Sequence, residues 1–190
     1  MFLRLLAGRQ VEVGMNIYLI GYRCTGKSSI GKLLAANLGM KFTDTDVELV
    51  NRTNKSISEI VDTSGWDEFR RIEKNIIREL SMLEKHVIAT GGGAVLDGEN
   101  AGYMKKTGIV VWLRATPSTI RERLKKDHET KDFRPALTVK GTFEEIDEIL
   151  LTRNRFYEEV MDYYVDTDYL DISGVCRDII KLIETVKEKR

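Results

Sequence analysis

Cysteine and histidine are scarce in this 190-residue chain, with two of each. Cys24 and Cys176 stand far apart, show no metal-ligand spacing and form no disulfide framework. That excludes a disulfide-stapled scaffold and a cysteine metal cluster, and it points to a reduced, cytoplasmic setting. His86 and His128 read as a strand residue and a loop residue rather than as catalysts. An excess of charge is lacking too, because thirty Lys and Arg side chains cancel thirty Asp and Glu. No global field then draws the chain to nucleic acid or to an anionic membrane, so any phosphate site must be local. No apolar run approaches the roughly 18 residues of a membrane span. The stretch Met1-Phe2-Leu3-Arg4-Leu5-Leu6-Ala7-Gly8 is too short for a signal peptide and is interrupted by Arg4. There are no repeats and no low-complexity segments. Residues 1–14 precede Met15 and the first strand pattern, and are expected to be an appendage without an assigned role.

What is present is enough chain for one well-buried core, expected as a single domain over residues 15–190. Its most informative stretch is Gly21-Tyr22-Arg23-Cys24-Thr25-Gly26-Lys27-Ser28, which satisfies the pattern G-x-x-x-x-G-K-[ST]. The apolar run Ile17-Tyr18-Leu19-Ile20 precedes it, and the helical pattern from Ser29 to Ala36 follows. That strand–loop–helix setting is what gives the pattern meaning. Successive backbone N–H groups wrap an anion, and the helix beyond points its positive dipole end at it. Lys27 is expected to reach the β- and γ-phosphates and the Ser28 hydroxyl to ligate Mg²⁺. The phosphate-holding set is thus Gly21, Cys24, Thr25, Gly26, Lys27, Ser28 and Ser29. An Asn-Lys-x-Asp guanine-reading motif is missing, since Asn54-Lys55 continues as Ser56-Ile57, so adenine is the expected base.

Strand and helix patterns alternate, the signature of a parallel sheet with helices on both faces. Apolar strands are predicted at 16–20, 40–44, 86–90, 108–113 and 163–166. Ser56 to Glu59 and Thr142 to Glu145 read as capping boxes, Thr116-Pro117 as a helix start, and Gly39 as a helix end. Residues 126–141 are polar and aperiodic, and read either as a lid or as a surface loop.

Three further groupings carry chemistry. Asp44-Thr45-Asp46 closes the second predicted strand, and residues i and i+2 of a strand share one side. One carboxylate can then hold Mg²⁺ through water while the other orients or deprotonates an acceptor hydroxyl; the competing reading is a strand end and a helix cap. Thr90-Gly91-Gly92-Gly93-Ala94 reads as a close backbone approach to a small ligand or as a flexible turn. Arg70 and Glu73 are spaced to pair across one helical turn, either on a solvated face or turned inward to grip a carboxylate. Arg134 and Arg153 carry the same ambiguity.

Together, in order, these motifs resemble shikimate kinases, small members of the nucleoside monophosphate kinase-like P-loop fold. The resemblance spans about residues 15–187 and rests on the loop 21–28, Asp44-Thr45-Asp46, Phe69-Arg70-x-x-Glu73, Gly91-Gly92-Gly93-Ala94, Arg134-Pro135, and Arg153 followed by Tyr157. It implies a three-layer α/β fold with a five-stranded parallel sheet in the order 2-3-1-4-5, a substrate-binding segment near 46–75 and a mobile lid near 125–141. It implies transfer of the γ-phosphoryl group of ATP to the 3-hydroxyl of shikimate. By the same resemblance Asp46, Arg70, Gly91, Gly92, Gly93 and Arg153 would hold shikimate, with Arg70 and Arg153 on its carboxylate and Asp46 on its hydroxyls. Asp44 would hold Mg²⁺ through water beside Ser28, Arg134 would contact the phosphates, and Arg123 would lie near the adenine. Lys27, Asp46 and Arg134 are the catalytic set this implies.

The chain departs from the family pattern at three positions and in a lid with several extra charged residues. Cys24 stands where glycine or another small residue is frequent, Trp66 where glutamate is common, and Ala136 where leucine is usual. The expectation is a monomeric cytoplasmic enzyme with no nucleic-acid and no membrane partner. The readings weighed against it are another small-molecule kinase, such as a gluconate kinase, and a catalytically silent nucleotide-binding module.

Overall fold

The computed structural model describes residues 15–126 and 145–188. Residues 1–14 and 127–144 lie outside them, and with them His128, Arg134, Ala136, most of the expected lid and the first three residues of the expected capping box at 142–145.

Five strands form one sheet: β1 (Asn16–Ile20), β2 (Lys41–Asp44), β3 (His86–Ala89), β4 (Gly108–Arg114) and β5 (Tyr163–Asp166). All neighbours are parallel and the order is β2-β3-β1-β4-β5, as the family resemblance implied. Helix α1 (Lys27–Leu38) ends at Gly39, and α2 (Thr45–Thr53) and α3 (Ile57–Ser81) follow β2. Next come a short 3₁₀ turn (Ala94–Leu96), α4 (Gly98–Thr107), α5 (Pro117–Lys126), α6 (Ile146–Val160) and α7 (Ile172–Glu188).

The alternation of strand side chains divides the core into two layers. Tyr18, Ile20, Ile88, Val110 and Trp112 face one layer, closed by α3, α4 and α6 through residues such as Phe69, Ile76, Met104 and Tyr157. Ile17, Leu19, Val87, Val111 and Leu113 face the other, closed by α1 and α7 through Leu34, Cys176 and Ile179. Burial on both faces explains why the inner strands β1, β3 and β4 read as nearly unbroken apolar runs, whereas the edge strand β2 carries Lys41, Thr43 and Asp44.

Local signals place the helices. Ser56 accepts from the Glu59 N–H while the Glu59 carboxylate accepts from the Ser56 N–H, so the capping box at the start of α3 is complete. Thr116 Oγ1 accepts from the Thr119 N–H ahead of Pro117. Gly65, at φ 81° and ψ 170°, kinks α3, an angle pair that a side chain would oppose. The half of α3 beyond the kink carries Phe69, Arg70 and Glu73, which line a cavity with the loop that follows β3. On either side of β1 the chain continues to opposite halves of the sheet, and ligands of open α/β sheets bind at such a switch point.

Candidate active site

The loop after β1 closes on itself. Gly21 has φ 138°, and a Cβ there would lie 2.4 Å from the Leu113 carbonyl oxygen, so only glycine fits. Thr25 Oγ1 donates to the Tyr22 carbonyl at 2.9 Å. Lys27 is buried, and its ammonium donates to the Gly21 and Tyr22 carbonyls at 2.8 and 2.7 Å. Its charge is thereby centred under the loop, ahead of the N-terminus of α1. Cys24 adopts φ 60°, the left-handed region where a glycine is at ease, and this accounts for the frequency of small residues at that position.

Asp44 corrects the strand reading of Asp44-Thr45-Asp46. It is the last residue of β2 and at once the N-cap of α2, where Oδ1 accepts from the Asp46 N–H at 3.0 Å and the Val47 N–H at 3.4 Å. Asp46 therefore lies in the first turn of a helix, and the side-by-side strand geometry does not apply. The two carboxylates separate instead. Asp44 Oδ2 accepts from the Ser28 hydroxyl at 2.5 Å, on the phosphate-loop side. Asp46 lines a cavity on the other side. The buried Thr45 between them accepts the Gly91 N–H on Oγ1 at 2.9 Å, which ties α2 to the triple-glycine loop.

That cavity gathers residues from five segments: Tyr22 and Arg23 of the phosphate loop, Asp46 of α2, Trp66, Phe69, Arg70 and Glu73 of α3, Gly91–Gly93, and Arg153 of α6. The glycines are required by close approach. A Cβ on Gly93 would sit 2.3 Å from an Arg70 guanidinium nitrogen, and one on Gly91 would sit 2.4 Å from Glu73 Oε1 and 2.9 Å from Asp46 Oδ1. Arg70 is turned inward, pairs with Glu73 Oε2 at 2.5 Å, and lies over the rings of Phe69 and Trp66 at 4.9 and 5.8 Å. Trp66, a departure from the family pattern, thus packs its ring against the Arg70 guanidinium. Arg153 is buried and donates to the Gly92 carbonyl at 3.4 Å, and the Tyr157 hydroxyl donates to the same oxygen at 2.5 Å.

Electrostatics set Glu73 apart. It is 2% exposed, and burial, seconded by the Asp46 charge, pushes its carboxyl up to about 7, with Arg70 and Arg153 opposing. Burial also pushes the Tyr157 phenol up to about 12, so it stays protonated and serves as a donor. Arg23 faces Glu145 at 3.5 Å, and Glu145 is fully buried where α6 begins.

A second groove lies beyond the loop, lined by Cys24, Thr25, Gly26, Ser29, Arg123 and the segment Thr167 to Val175. Arg123 donates to the Cys24 carbonyl at 3.2 Å, the Thr167 hydroxyl at 3.0 Å and the Thr167 carbonyl at 2.5 Å. It braces the groove between the loop and the end of β5.

The structure thus brings Asp46, Arg70, Gly91, Gly92, Gly93 and Arg153 into one cavity, and Cys24, Thr25, Gly26, Ser29 and Arg123 into an adjoining groove. Lys27 is hydrogen-bonded to Gly21 and Ser28 to Asp44, and Arg134 falls outside the described residues. Sequence reasoning did not single out Tyr22, Arg23, Glu73 or Thr45 as site residues. Glu73 had a usable signal, its spacing from Arg70; Tyr22, Arg23 and Thr45 lay inside the recognised motifs, at positions those patterns leave open.

Comparison with known proteins agrees with this geometry. The shikimate kinase family model matches residues 23–184. The shikimate kinase of Thermodesulfovibrio yellowstonii is 42% identical over 169 residues, covering 89% of this chain and 95% of that protein. Shikimate kinase 2 of Photorhabdus laumondii is 37% identical over 150 residues, 79% of this chain and 85% of that protein. Among solved structures, shikimate kinase from Acinetobacter baumannii in complex with shikimate superposes with a TM-score of 0.85 at 32% identity, covering 91% of this chain and 94% of that one. A phosphate loop, an arginine-lined cavity beside it and relatives matched over nearly their whole length converge on one assignment: the chain belongs to the shikimate kinase family.

Proposed function

We propose that this chain transfers the γ-phosphoryl group of ATP to the 3-hydroxyl of shikimate. The observation that carries the reading is the cavity itself, which Arg70, Arg153 and the Asp46 carboxylate line together with Tyr22 and Arg23 of a phosphate-binding loop. An acceptor with one carboxylate and several hydroxyls matches those groups. Arg70 and Arg153 take the carboxylate through forked hydrogen bonds, and Asp46 takes the hydroxyls. Gly91, Gly92 and Gly93 let backbone approach the ring.

In the transfer, the acceptor oxygen forms a bond to the γ-phosphorus as the bond from that phosphorus to the β–γ bridging oxygen breaks. The hydroxyl proton leaves toward Asp46. Positioning and charge neutralisation supply most of the rate in such reactions. Lys27 spreads positive charge over the phosphates once nucleotide displaces the loop carbonyls from its ammonium. Arg134 is assigned to the phosphates on the sequence resemblance. The second groove takes adenosine, with Arg123 beside the base.

The Ser28 hydroxyl and Asp44 carboxylate, 2.5 Å apart, offer hard oxygen donors to one side of the phosphates, and this suits Mg²⁺, which keeps waters and substrate oxygens for the rest of its shell. Bound there, Mg²⁺ would neutralise charge on the β- and γ-oxygens. We read the chain as a monomer working in the cytoplasm on small molecules, with Cys24 and Cys176 both free. Residues 46–75 serve as the acceptor-binding segment.

The test is ADP release with Mg²⁺-ATP and shikimate, gluconate or no acceptor in parallel. Shikimate-dependent release is expected. Turnover of gluconate and none of shikimate would move the assignment to another small-molecule kinase, and nucleotide binding with no turnover of either would leave a silent module.

A further inference from the structure

Glu73 is a buried carboxylate that none of the proposed steps uses. One oxygen, Oε2, takes the Arg70 guanidinium at 2.5 Å. The other, Oε1, is buried without a hydrogen-bond partner among the described residues. It faces Gly91, and Asp46 Oδ1 approaches the same point, so two carboxylate oxygens converge within 3 Å of the place a Gly91 Cβ would occupy. A buried acceptor left unsatisfied is costly, and beside a second carboxylate the neutral acid is favoured over the anion.

Among the described residues, the charged groups acting on Glu73 are Arg70 on its own helix, Asp46 on α2 and Arg153 on α6, and Arg23 of the phosphate loop lines the same cavity. The triple-glycine loop presents backbone alone. The next basic residue of α3, Lys74, is engaged by Asp97 and Glu99 at the start of α4.

We propose that Glu73 couples acceptor binding to proton uptake: when shikimate's carboxylate settles on Arg70 and Arg153, Glu73 takes a proton from solvent and becomes a neutral acid. The proton bonds to a Glu73 carboxylate oxygen and no other bond changes. The physical cause is competition for two cations. In the empty cavity Arg70 and Arg153 are what hold Glu73 toward its anion, against burial and Asp46. A bound anionic acceptor draws on the same cations and adds a third negative charge, so the balance tips to the protonated form. Glu73 acts through Arg70 and is a positioning residue. Neutral, it leaves the guanidinium fork to the acceptor; ionised, it competes for it.

The inference rests on the acceptor assignment above, and the experiment separates the two. Calorimetric titration of shikimate into the protein without nucleotide, in buffers of different ionisation heat, reads protons exchanged per ligand bound. Because the free carboxyl titrates near neutrality, uptake on the order of half a proton per shikimate is expected slightly above pH 7. Affinity should fall as pH rises above about 7, by up to tenfold per unit. The Glu73→Gln variant, which keeps an oxygen for Arg70, should bind with no uptake and a flat pH profile. A merely structural role would change affinity in that variant and leave the uptake unmoved. Binding without uptake in the natural protein, or uptake that persists in Glu73→Gln, overturns the proposal. No shikimate binding at any pH overturns the acceptor assignment instead. Should Glu73→Gln not fold, the natural protein decides alone, through the sign of its uptake and of its affinity slope with pH.

Discussion

The Ser28 hydroxyl donates to Asp44 Oδ2 across 2.5 Å, while Oδ1 of the same carboxylate caps α2 by accepting from the Asp46 and Val47 N–H groups. One side chain thus joins the phosphate loop to the helix that carries Asp46, with a different oxygen on each task.

Asparagine separates those tasks. It caps helices about as well as aspartate but brings no charge to the metal side. Asp44→Asn should unfold within a few degrees of the natural protein and require on the order of tenfold more Mg²⁺ for half-maximal turnover. Asp44→Ala should in addition lose about 1 kcal/mol of stability with the cap. Thermal unfolding and Mg²⁺ titrations of the rate check both. An unchanged Mg²⁺ requirement in Asp44→Asn would remove Asp44 from the metal site.

Two alanine substitutions in the glycine loop should fail differently. At Gly93 the new Cβ meets the far end of Arg70 at 2.3 Å, a flexible side chain that can swing aside. Shikimate KM should rise about tenfold or more, equivalent to about 1.4 kcal/mol, with ATP KM within about twofold. At Gly91 the Cβ meets the enclosed carboxylate of Glu73 at 2.4 Å, with no room to yield. Gly91→Ala should cost about 1–3 kcal/mol of stability by overpacking. Urea unfolding of both variants beside their kinetics checks the contrast; equal stability losses would contradict it.

Most of the sheet was legible because its signals are local. Near-continuous apolar runs marked β1, β3 and β4, and Gly39 and the Ser56–Glu59 capping box marked helix limits within a few residues. The misreading at Asp44-Thr45-Asp46 came from a strand that stops at Asp44, so that a spacing rule for strands was applied to a helix start. Glu73 was visible as a partner for Arg70, yet an i, i+3 pair reads the same on a solvated face and in a cavity. What turns it inward is remote in sequence: the kink at Gly65 and the bare backbone of Gly91 and Gly93 against it. The bond from Tyr157 to Gly92 spans 65 residues and leaves no local trace. The segment around Arg134 lies outside the described residues, so its reading stays with the sequence.

Tyr157 is expected to hold the glycine loop for the acceptor. Its ring stacks on Trp112 at 5.4 Å, and its hydroxyl is the shorter of two donors to the Gly92 carbonyl. Tyr157→Phe keeps the stacking and deletes one hydrogen bond. Stability should fall by about 1 kcal/mol, and shikimate KM should rise several-fold as the loop loosens, with ATP KM unaffected. Unchanged shikimate KM in a stably folded variant would show that the Arg153 and Thr45 contacts hold the loop without it.

Glu73 should also leave a signature in the pH dependence of folding. Its carboxyl is raised from 4.5 to about 7 in the folded protein. The folded state therefore binds more protons than the unfolded chain between those values, and for this group stability falls as pH rises through that window. The sign is opposite to that of a salt-bridged surface carboxylate, whose stabilisation grows over its window. At one full proton the slope is about 1.4 kcal/mol per pH unit, giving a total on the order of 3 to 4 kcal/mol. Glu73→Gln cannot titrate and should lose this dependence, so its stability relative to the natural protein should climb from about pH 5 to about pH 8. Urea unfolding of both proteins across that range measures the difference directly. A constant difference would mean that Glu73 ionises as an ordinary carboxylate and that Arg70 fully offsets its burial.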